Sequence, residues 1–314
     1  MRTDPFESRR IWICTLALLC TAFGSACQRS RAAGPAPGAA SAPAAERLIT
    51  IGGPITETVF ALGRGDAVVA VDTSSVFPAE VAQLPKVGYQ RTLAAEGVLA
   101  LRPTRIIATE EAGPPAALVQ LRRAGIVVEL IPSEPSLAGA RNKIAFISRL
   151  LAVPERGTQL IARLDAEAAA ATAPAAAIPL RVLFMYTRGT GTMQVAGSGT
   201  NADAMIRLSG AENAARMLAG YKPLSAEFLL AARPDVILLT SRGMQSLNNA
   251  QTTLQLPSLS TLPTEQHPHL LMQDDLLLLG FGPRTGQAIG ELRARPAAVA
   301  TGPTVIAAVD PVRQ

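Results

Sequence analysis

Val87-Gly88-Tyr89-Gln90-Arg91-Thr92-Leu93-Ala94-Ala95-Glu96-Gly97-Val98-Leu99-Ala100-Leu101-Arg102-Pro103 decides how this chain is read. A tyrosine follows a flexible glycine in a loop, and Arg91 stands two residues on. A short helical segment ends at Arg102-Pro103, and the apolar run Arg105-Ile106-Ile107-Ala108-Thr109 reads as a buried strand. The helix-to-strand part recurs far downstream. Leu93-Ala94-Ala95-Glu96 matches Leu224-Ser225-Ala226-Glu227, and Leu101-Arg102-Pro103 matches Ala232-Arg233-Pro234. Val236-Ile237-Leu238-Leu239-Thr240 supplies the second strand. Two copies of one unit imply two similar lobes. Only the first copy carries the tyrosine, so the lobes read as a clamp and Tyr89 marks what it holds.

The composition agrees with such a protein. A length of 314 residues gives room for two domains, each with its own core. Charged residues are only 17% and the formal net charge is +5; the arginines are scattered and aromatics are few, which argues against a nucleic-acid platform. Arg9 and Arg10 precede the apolar run Ile11 to Phe23, too short for a comfortable membrane span. Residues 1–26 therefore read as a signal peptide, and the protein as exported to the periplasm. Cys27 after Gly24-Ser25-Ala26 is similar to the lipobox of bacterial lipoproteins, with Gly24 where leucine usually stands; plain cleavage nearby is the alternative. Cys14, Cys20 and Cys27 all lie in this segment, so the lobes carry no disulfide and no thiolate metal site.

Residues 27–46, rich in Ala, Pro, Gly and Ser, read as a tether. Strands and helices then alternate from Arg47, which points to parallel sheets covered by helices. The expected fold is α/β, with an N-terminal lobe over 47–150, a connecting helix over 151–180 and a C-terminal lobe over 181–314. Ser136 to about Ala173 is helical throughout, with Pro154 in the first turn of the connector. A helical connector resists bending, so lobe rotation on ligand binding is expected to be small. Gly189 to Gly199 lacks the Gly-Lys-Ser/Thr ending of a phosphate loop. No Gly-x-Ser-x-Gly elbow or His–carboxylate pair suggests a hydrolase. His267 and His269 flank Pro268 in what reads as a polar, solvated loop.

This layout, the repeated unit and the Gly88-Tyr89-Gln90-Arg91 loop resemble the haem-binding periplasmic proteins of bacterial ABC importers. These belong to the helical-backbone class that also contains cobalamin- and ferric-siderophore-binding proteins. Ala196-Gly197-Ser198-Gly199-Thr200-Asn201-Ala202-Asp203 and Leu278-Leu279-Gly280-Phe281-Gly282 support the resemblance, which covers about Leu48 to Leu292. It implies capture of ferric haem as transported ligand, delivery to an inner-membrane ABC permease with its ATPase, and no enzymatic activity. It makes Tyr89 the axial iron ligand, a hard anionic oxygen that suits ferric iron, with Arg91 as a positive neighbour favouring the phenolate. Some relatives have a second ligand, a histidine, after the first strand of the second lobe. Arg188 stands there instead, which implies one haem held through one protein ligand. Arg188, Lys222 and Arg242 are the candidates for the propionates, and Met193 for the porphyrin face. Glu96 and Glu227, one per lobe, are the implied docking residues for the permease. A cobalamin or ferric-siderophore binder is the runner-up.

Overall fold

A computed structural model describes residues 46–171, 179–189, 193–260 and 267–294. The readings of a signal peptide, of the tether up to residue 45 and of Cys27 lie outside the described residues. The first sheet contains β1 (Leu48–Ile51), β2 (Val68–Val71), β3 (Arg105–Thr109) and β4 (Val127–Ile131), all parallel, in the order β2-β1-β3-β4. Its helices are α1 (Gly53–Ala61), α2 (Ala95–Ala100), α3 (Pro115–Arg123) and α4 (Leu137–Leu150). Side chains alternate across the strands and both faces are buried. Leu48 and Ile107 enter the cluster that includes Ile55, Ile144 and Ile147, while Ile49, Ile51, Ile106 and Ala108 enter the one that includes Val98 and Leu121. Burial on both faces is what a parallel sheet requires, and it explains the near-continuous apolar runs. Glu46, at the end of the expected tether, is pinned by Arg64 at 2.7 Å.

The helix α5 (Pro154–Ala171) connects the lobes and starts at Pro154, as its sequence suggests. At 18 residues it is about 27 Å long. Leu160 and Leu164 pack into the N-lobe core, while Ala168 and Ala171 pack into the C-lobe core. One rigid rod thus belongs to both cores. Residues 172–178 lie outside the described residues.

The second sheet is built from β5 (Arg181–Thr187), β6 (Met193–Ala196), β7 (Glu212–Asn213), β8 (Tyr221–Pro223), β9 (Val236–Thr240) and β10 (His269–Gln273). Its order is β10-β9-β5-β6-β8, with β7 beside β5; β5, β7, β9 and β10 run parallel, and β6 and β8 are antiparallel additions. It is covered by α6 (Asn201–Leu208), α7 (Ala226–Ala232), α8 (Ser241–Ser246), α9 (Ala250–Leu254), α10 (Pro257–Ser260), α11 (Asp275–Leu279) and α12 (Thr285–Ala294). One reading needs correction here. His269 is not in a loop but opens β10, paired with Val236, because Leu270 and Leu271 are buried behind it.

The repeat is visible in the backbone. Arg102 and Arg233 both adopt left-handed conformations, with φ of 47° and 43°. Each precedes a proline, which disfavours the right-handed helical region; Arg102 stands two residues past the end of α2 and Arg233 directly after α7. Glu96 and Glu227 are both the second residue of their helices, α2 and α7.

The connector sits against α12 at very close range. A Cβ on Gly286 would lie 2.7 Å from the Leu164 carbonyl oxygen and 2.6 Å from the Glu167 Cβ. Backbone cannot yield cheaply, so Gly286→Ala is expected to destabilise by about 1–3 kcal/mol in thermal or denaturant unfolding. Gly290→Ala, whose new Cβ would meet the Ala171 Cβ at an ordinary 3.7 Å, is expected to be neutral or slightly stabilising.

Candidate functional site

The carboxyl ends of the strands of both sheets converge on one cleft of about 470 Å³, the usual size for a small-molecule site. Thr109 at the end of β3, Tyr186 near the end of β5, Arg242 just after β9 and Asp275 just after β10 all line it. Ligands of parallel α/β sheets bind at this edge because successive strand-to-helix turns open there. Gly53 and Asn201, the first residues of α1 and α6, also line it. Helix N-termini carry partial positive charge, which favours an anionic guest.

Tyr89 is held by a loop built for rigidity. Gly88 has φ of 95°, a conformation that a side chain would strain. The Gly88 carbonyl accepts from the Thr73 amide at 2.9 Å, the Gln90 carbonyl from the Gly113 amide at 2.9 Å, and the Tyr89 carbonyl from the Thr92 amide at 2.9 Å. The backbone is therefore fixed on three sides while the Tyr89 side chain remains 46% exposed at the cleft. An aromatic ring left so open on a pinned loop is available to a ligand at little reorganisation cost.

The adjoining turn is fixed by a buried carboxylate. Asp72 accepts hydrogen bonds from the Gly52 amide at 2.9 Å and from the Ser74 and Ser75 hydroxyls at 2.6 Å each. These bonds tie the start of α1 to the segment before the Tyr89 loop. Asn201 works similarly in the other lobe, donating to the Leu279 carbonyl at 2.7 Å. Thr200 caps α6 through the Asp203 amide at 3.1 Å. The two second-lobe segments that support the resemblance are thus joined to each other as scaffold.

The structure brings Tyr89, Arg91, Arg188 and Arg242 together in the cleft. It does not bring Met193 or Lys222 there. Met193 lies in β6, paired with Thr187, and packs on the C-lobe core. Lys222 is an exposed residue of β8. Both belong to the antiparallel extension, which strand pairing turns away from the cleft lining. Sequence reasoning passed over Glu111, Lys143 and Asp275, which also line the cleft, as does Tyr186, held there only as an alternative ligand. Tyr186 repeats the spacing of Tyr89 to Arg91, and that signal was available; Lys143 is hidden in an ordinary helical pattern.

Arg188 is the most heavily engaged of the three arginines. Its Nε donates to the Tyr186 hydroxyl at 2.8 Å, and its guanidinium carbon lies 5.6 Å from the Tyr186 ring centre. The Tyr186 hydrogen bond holds this guanidinium above its ordinary range despite partial burial, and Asp275 and Tyr89 add attraction. Tyr89 is therefore within electrostatic reach of Arg188 across the cleft.

Lys143 lies at the base of the cleft and bridges the lobes. It is only 3% exposed, and its Nζ donates to the Phe281 carbonyl at 3.0 Å. Burial pulls its ammonium down to about 8, against the attraction of Glu111, Glu57 and Glu110.

Residues 48–274 match the family model described as periplasmic binding protein, and the chain belongs to that family. It is 43% identical to the apo form of the periplasmic heme-binding protein RhuT from Roseiflexus sp. RS-1, with a TM-score of 0.78 over 82% of this chain and 100% of that one. It is 39% identical to the periplasmic heme-binding protein BhuT in complex with two hemes, with a TM-score of 0.76 over 81% and 98%. Among curated sequences, the vitamin B12-binding protein of Vibrio parahaemolyticus is 28% identical over 68% of this chain and 78% of its own length.

The Lys143 shift has a signed consequence. A base whose folded pKa is depressed costs stability while it is charged, and that cost is relieved as pH rises from about 8 toward its ordinary 10.5. Wild type minus Lys143→Met, measured as unfolding free energy between pH 7.5 and 10.5, is therefore expected to rise with pH. A flat difference would mean that Lys143 titrates as an exposed lysine.

Proposed function

We propose that this periplasmic binding protein captures ferric haem in the cleft and delivers it to an inner-membrane permease driven by an ATPase. The observation that carries the reading is the half-exposed Tyr89 phenol on a pinned loop, in a cleft that also presents Arg91, Arg188 and Arg242. A phenolate suits ferric iron, and arginines suit the two propionates. Ile55, Val76, Leu276 and Leu279 supply apolar wall for the macrocycle. Cobalamin is the second reading, favoured by the curated relative. Its corrin ring carries amides where haem carries carboxylates, so three arginines would find no anionic partners on that ring. The heme-binding neighbours, with higher identity over more of the chain, support haem.

In this reading the protein binds and releases its cargo without chemical change and is not an enzyme. Residues 1–26 direct export, and a lipid on Cys27 anchors the chain at a membrane facing the periplasm. No described helix is long and apolar enough to cross a membrane. Haemin added to the protein is expected to give a shifted Soret band with a tyrosinate-type spectrum. Tyr89→Phe keeps the ring but removes the oxygen, and should cost at least tenfold in haem affinity. Unchanged spectrum and affinity in Tyr89→Phe would remove Tyr89 from the iron.

Delivery rests on Glu96 and Glu227. Both occupy the second position of a repeat helix and are exposed. The backbone of its own helical turn and a hydrogen bond from Gln120 at 3.1 Å hold the Glu96 carboxyl below the usual range, so it is charged at neutral pH. One carboxylate per lobe matches a permease with a two-fold axis, and such exposed charges steer encounter more than they stabilise the fold. Changing both to lysine is expected to leave haem affinity and melting temperature nearly intact and to abolish haem-stimulated ATPase activity of the reconstituted transporter. Stimulation that persists in the double variant would take these residues off the docking surface.

A further inference from the structure

The amino edge of the N-lobe sheet, at the end away from the cleft, is set with arginines. Arg47 stands just before β1 and donates to the Leu101 carbonyl at 2.8 Å and the Arg102 carbonyl at 3.1 Å, where α2 ends. Arg156, in the first turn of α5, donates to the Leu62 carbonyl just past α1 at 3.0 Å. Arg105 donates to the Leu150 carbonyl at the end of α4 at 3.0 Å. Helix C-termini collect at this edge, and each guanidinium caps carbonyls that a helix leaves unpaired.

Capping alone does not account for the charge. The C-lobe uses the same device, since Arg181 opens β5 and donates to the Ala232 carbonyl at the end of α7 at 2.9 Å. There Glu212 pairs with Arg181 at 3.1 Å, and Asp235 accepts from the Arg181 amide at 2.7 Å. In the N-lobe, Glu46 is shared by Arg64 and Arg105, at 2.7 and 3.8 Å. Arg47 and Arg156 pair with no carboxylate among the described residues. Arg102, just past α2, and Arg123, the last residue of α3, add exposed guanidinium groups, also without an ion pair among the described residues. Asp66, before β2, and Glu155, in the first turn of α5, offset only part of this charge.

We propose that this arginine edge rests on the anionic headgroups of a phospholipid bilayer, leaving the cleft at the other end open to its guest. The inference holds whatever fills the cleft. Each cation near an anionic leaflet adds to an attraction that fades within a Debye length. Guanidinium groups already held by helix carbonyls lose little freedom on contact, and their remaining donors suit phosphate oxygens. The described chain starts at Glu46 on this same edge, so a lipid at Cys27, as proposed above, would draw this side of the lobe toward a bilayer. The surface is also distinct from the one proposed for the permease. Glu96 is near the start of α2 and Arg102 lies past its end, so the two stand at opposite ends of one helix.

The test is sedimentation with vesicles of the exported chain from Gln28 onward, which keeps every described residue and carries no acyl group. Vesicles of phosphatidylglycerol and phosphatidylethanolamine are expected to carry the protein down at low salt. They should release it as sodium chloride approaches about 1 M, where the Debye length is about 3 Å. Vesicles of phosphatidylcholine should leave it in solution. Arg102→Glu with Arg123→Glu is expected to weaken binding at least tenfold. Arg216→Glu with Arg233→Glu makes the same change of charge in the C-lobe, Arg233 being the repeat equivalent of Arg102, and should leave binding nearly unchanged. Both double variants should melt with wild type. Should the first melt earlier, Arg123→Glu alone decides, with an expected loss of at least threefold. Bound protein should take up haemin as free protein does. Equal binding to phosphatidylcholine, equal loss in the two double variants, or full binding with Arg123 reversed would overturn the proposal. Haemin uptake lost only on the vesicles would also overturn it, by placing the cleft against the bilayer. Uptake absent both on and off the vesicles would overturn the haem reading and leave this one standing.

Discussion

The ion pair between Glu57 and Arg284 fixes how the two halves of this protein meet. Glu57 lies on α1 and is 4% exposed; Arg284 precedes α12 and reaches it with two hydrogen bonds, at 2.7 and 3.1 Å. Arg284 also stacks on Phe77, 3.6 Å from the ring centre. Burial pushes the Glu57 carboxyl up, and Arg284 pulls it back. A buried pair of this kind adds little net stability over a well-packed apolar contact, yet removing one partner costs about 3–5 kcal/mol. This pair has both charges satisfied in the arrangement of the lobes seen here. Lys143 acts alongside it, bridging to the Phe281 carbonyl. Above these contacts the cleft opens; below them α5 runs through both cores. Tyr89 and Arg188 both line the cleft, one from each lobe.

Much of this was legible in the sequence, and the reason lies in a few elements. Buried parallel strands leave apolar runs, and the Arg102-Pro103 and Arg233-Pro234 breaks mark where each repeat turns into its strand. The place of Tyr89 in the cleft lining was legible through the resemblance that the Gly88-Tyr89-Gln90-Arg91 loop carries. The C-lobe lining was less so. Met193 and Lys222 sit near the right strands in sequence, but strand pairing in β6 and β8 carries them out of the cleft. Periodicity does not reveal an antiparallel addition to a parallel sheet. Lys143 and Glu57 were invisible for a different reason: each is one polar residue on an otherwise ordinary helix, and only the packing of the other lobe against it shows its role. His269 looked like loop because a proline and polar residues precede it, while its strand partner, Val236, is far away in sequence.

The cleft has a consistent chemical character. Its lining includes Arg91, Arg188, Arg242 and Lys143 against Glu111 and Asp275, with helix N-termini adding positive potential. Glu111 is itself engaged, accepting from Thr109 at 2.6 Å. The site therefore presents a phenol oxygen and several cations around an apolar wall. A flat ferric macrocycle with acidic edges answers all three demands at once.

The most direct test of this account is diffraction from haem-loaded crystals at wavelengths either side of the iron absorption edge. The anomalous difference map locates iron without any assumption about the porphyrin. The account predicts an iron peak in the cleft at bonding distance from the Tyr89 hydroxyl oxygen. An iron peak on the outer surface, beside His267 or His269, or in the cleft but with Tyr89 turned away from it, would contradict it.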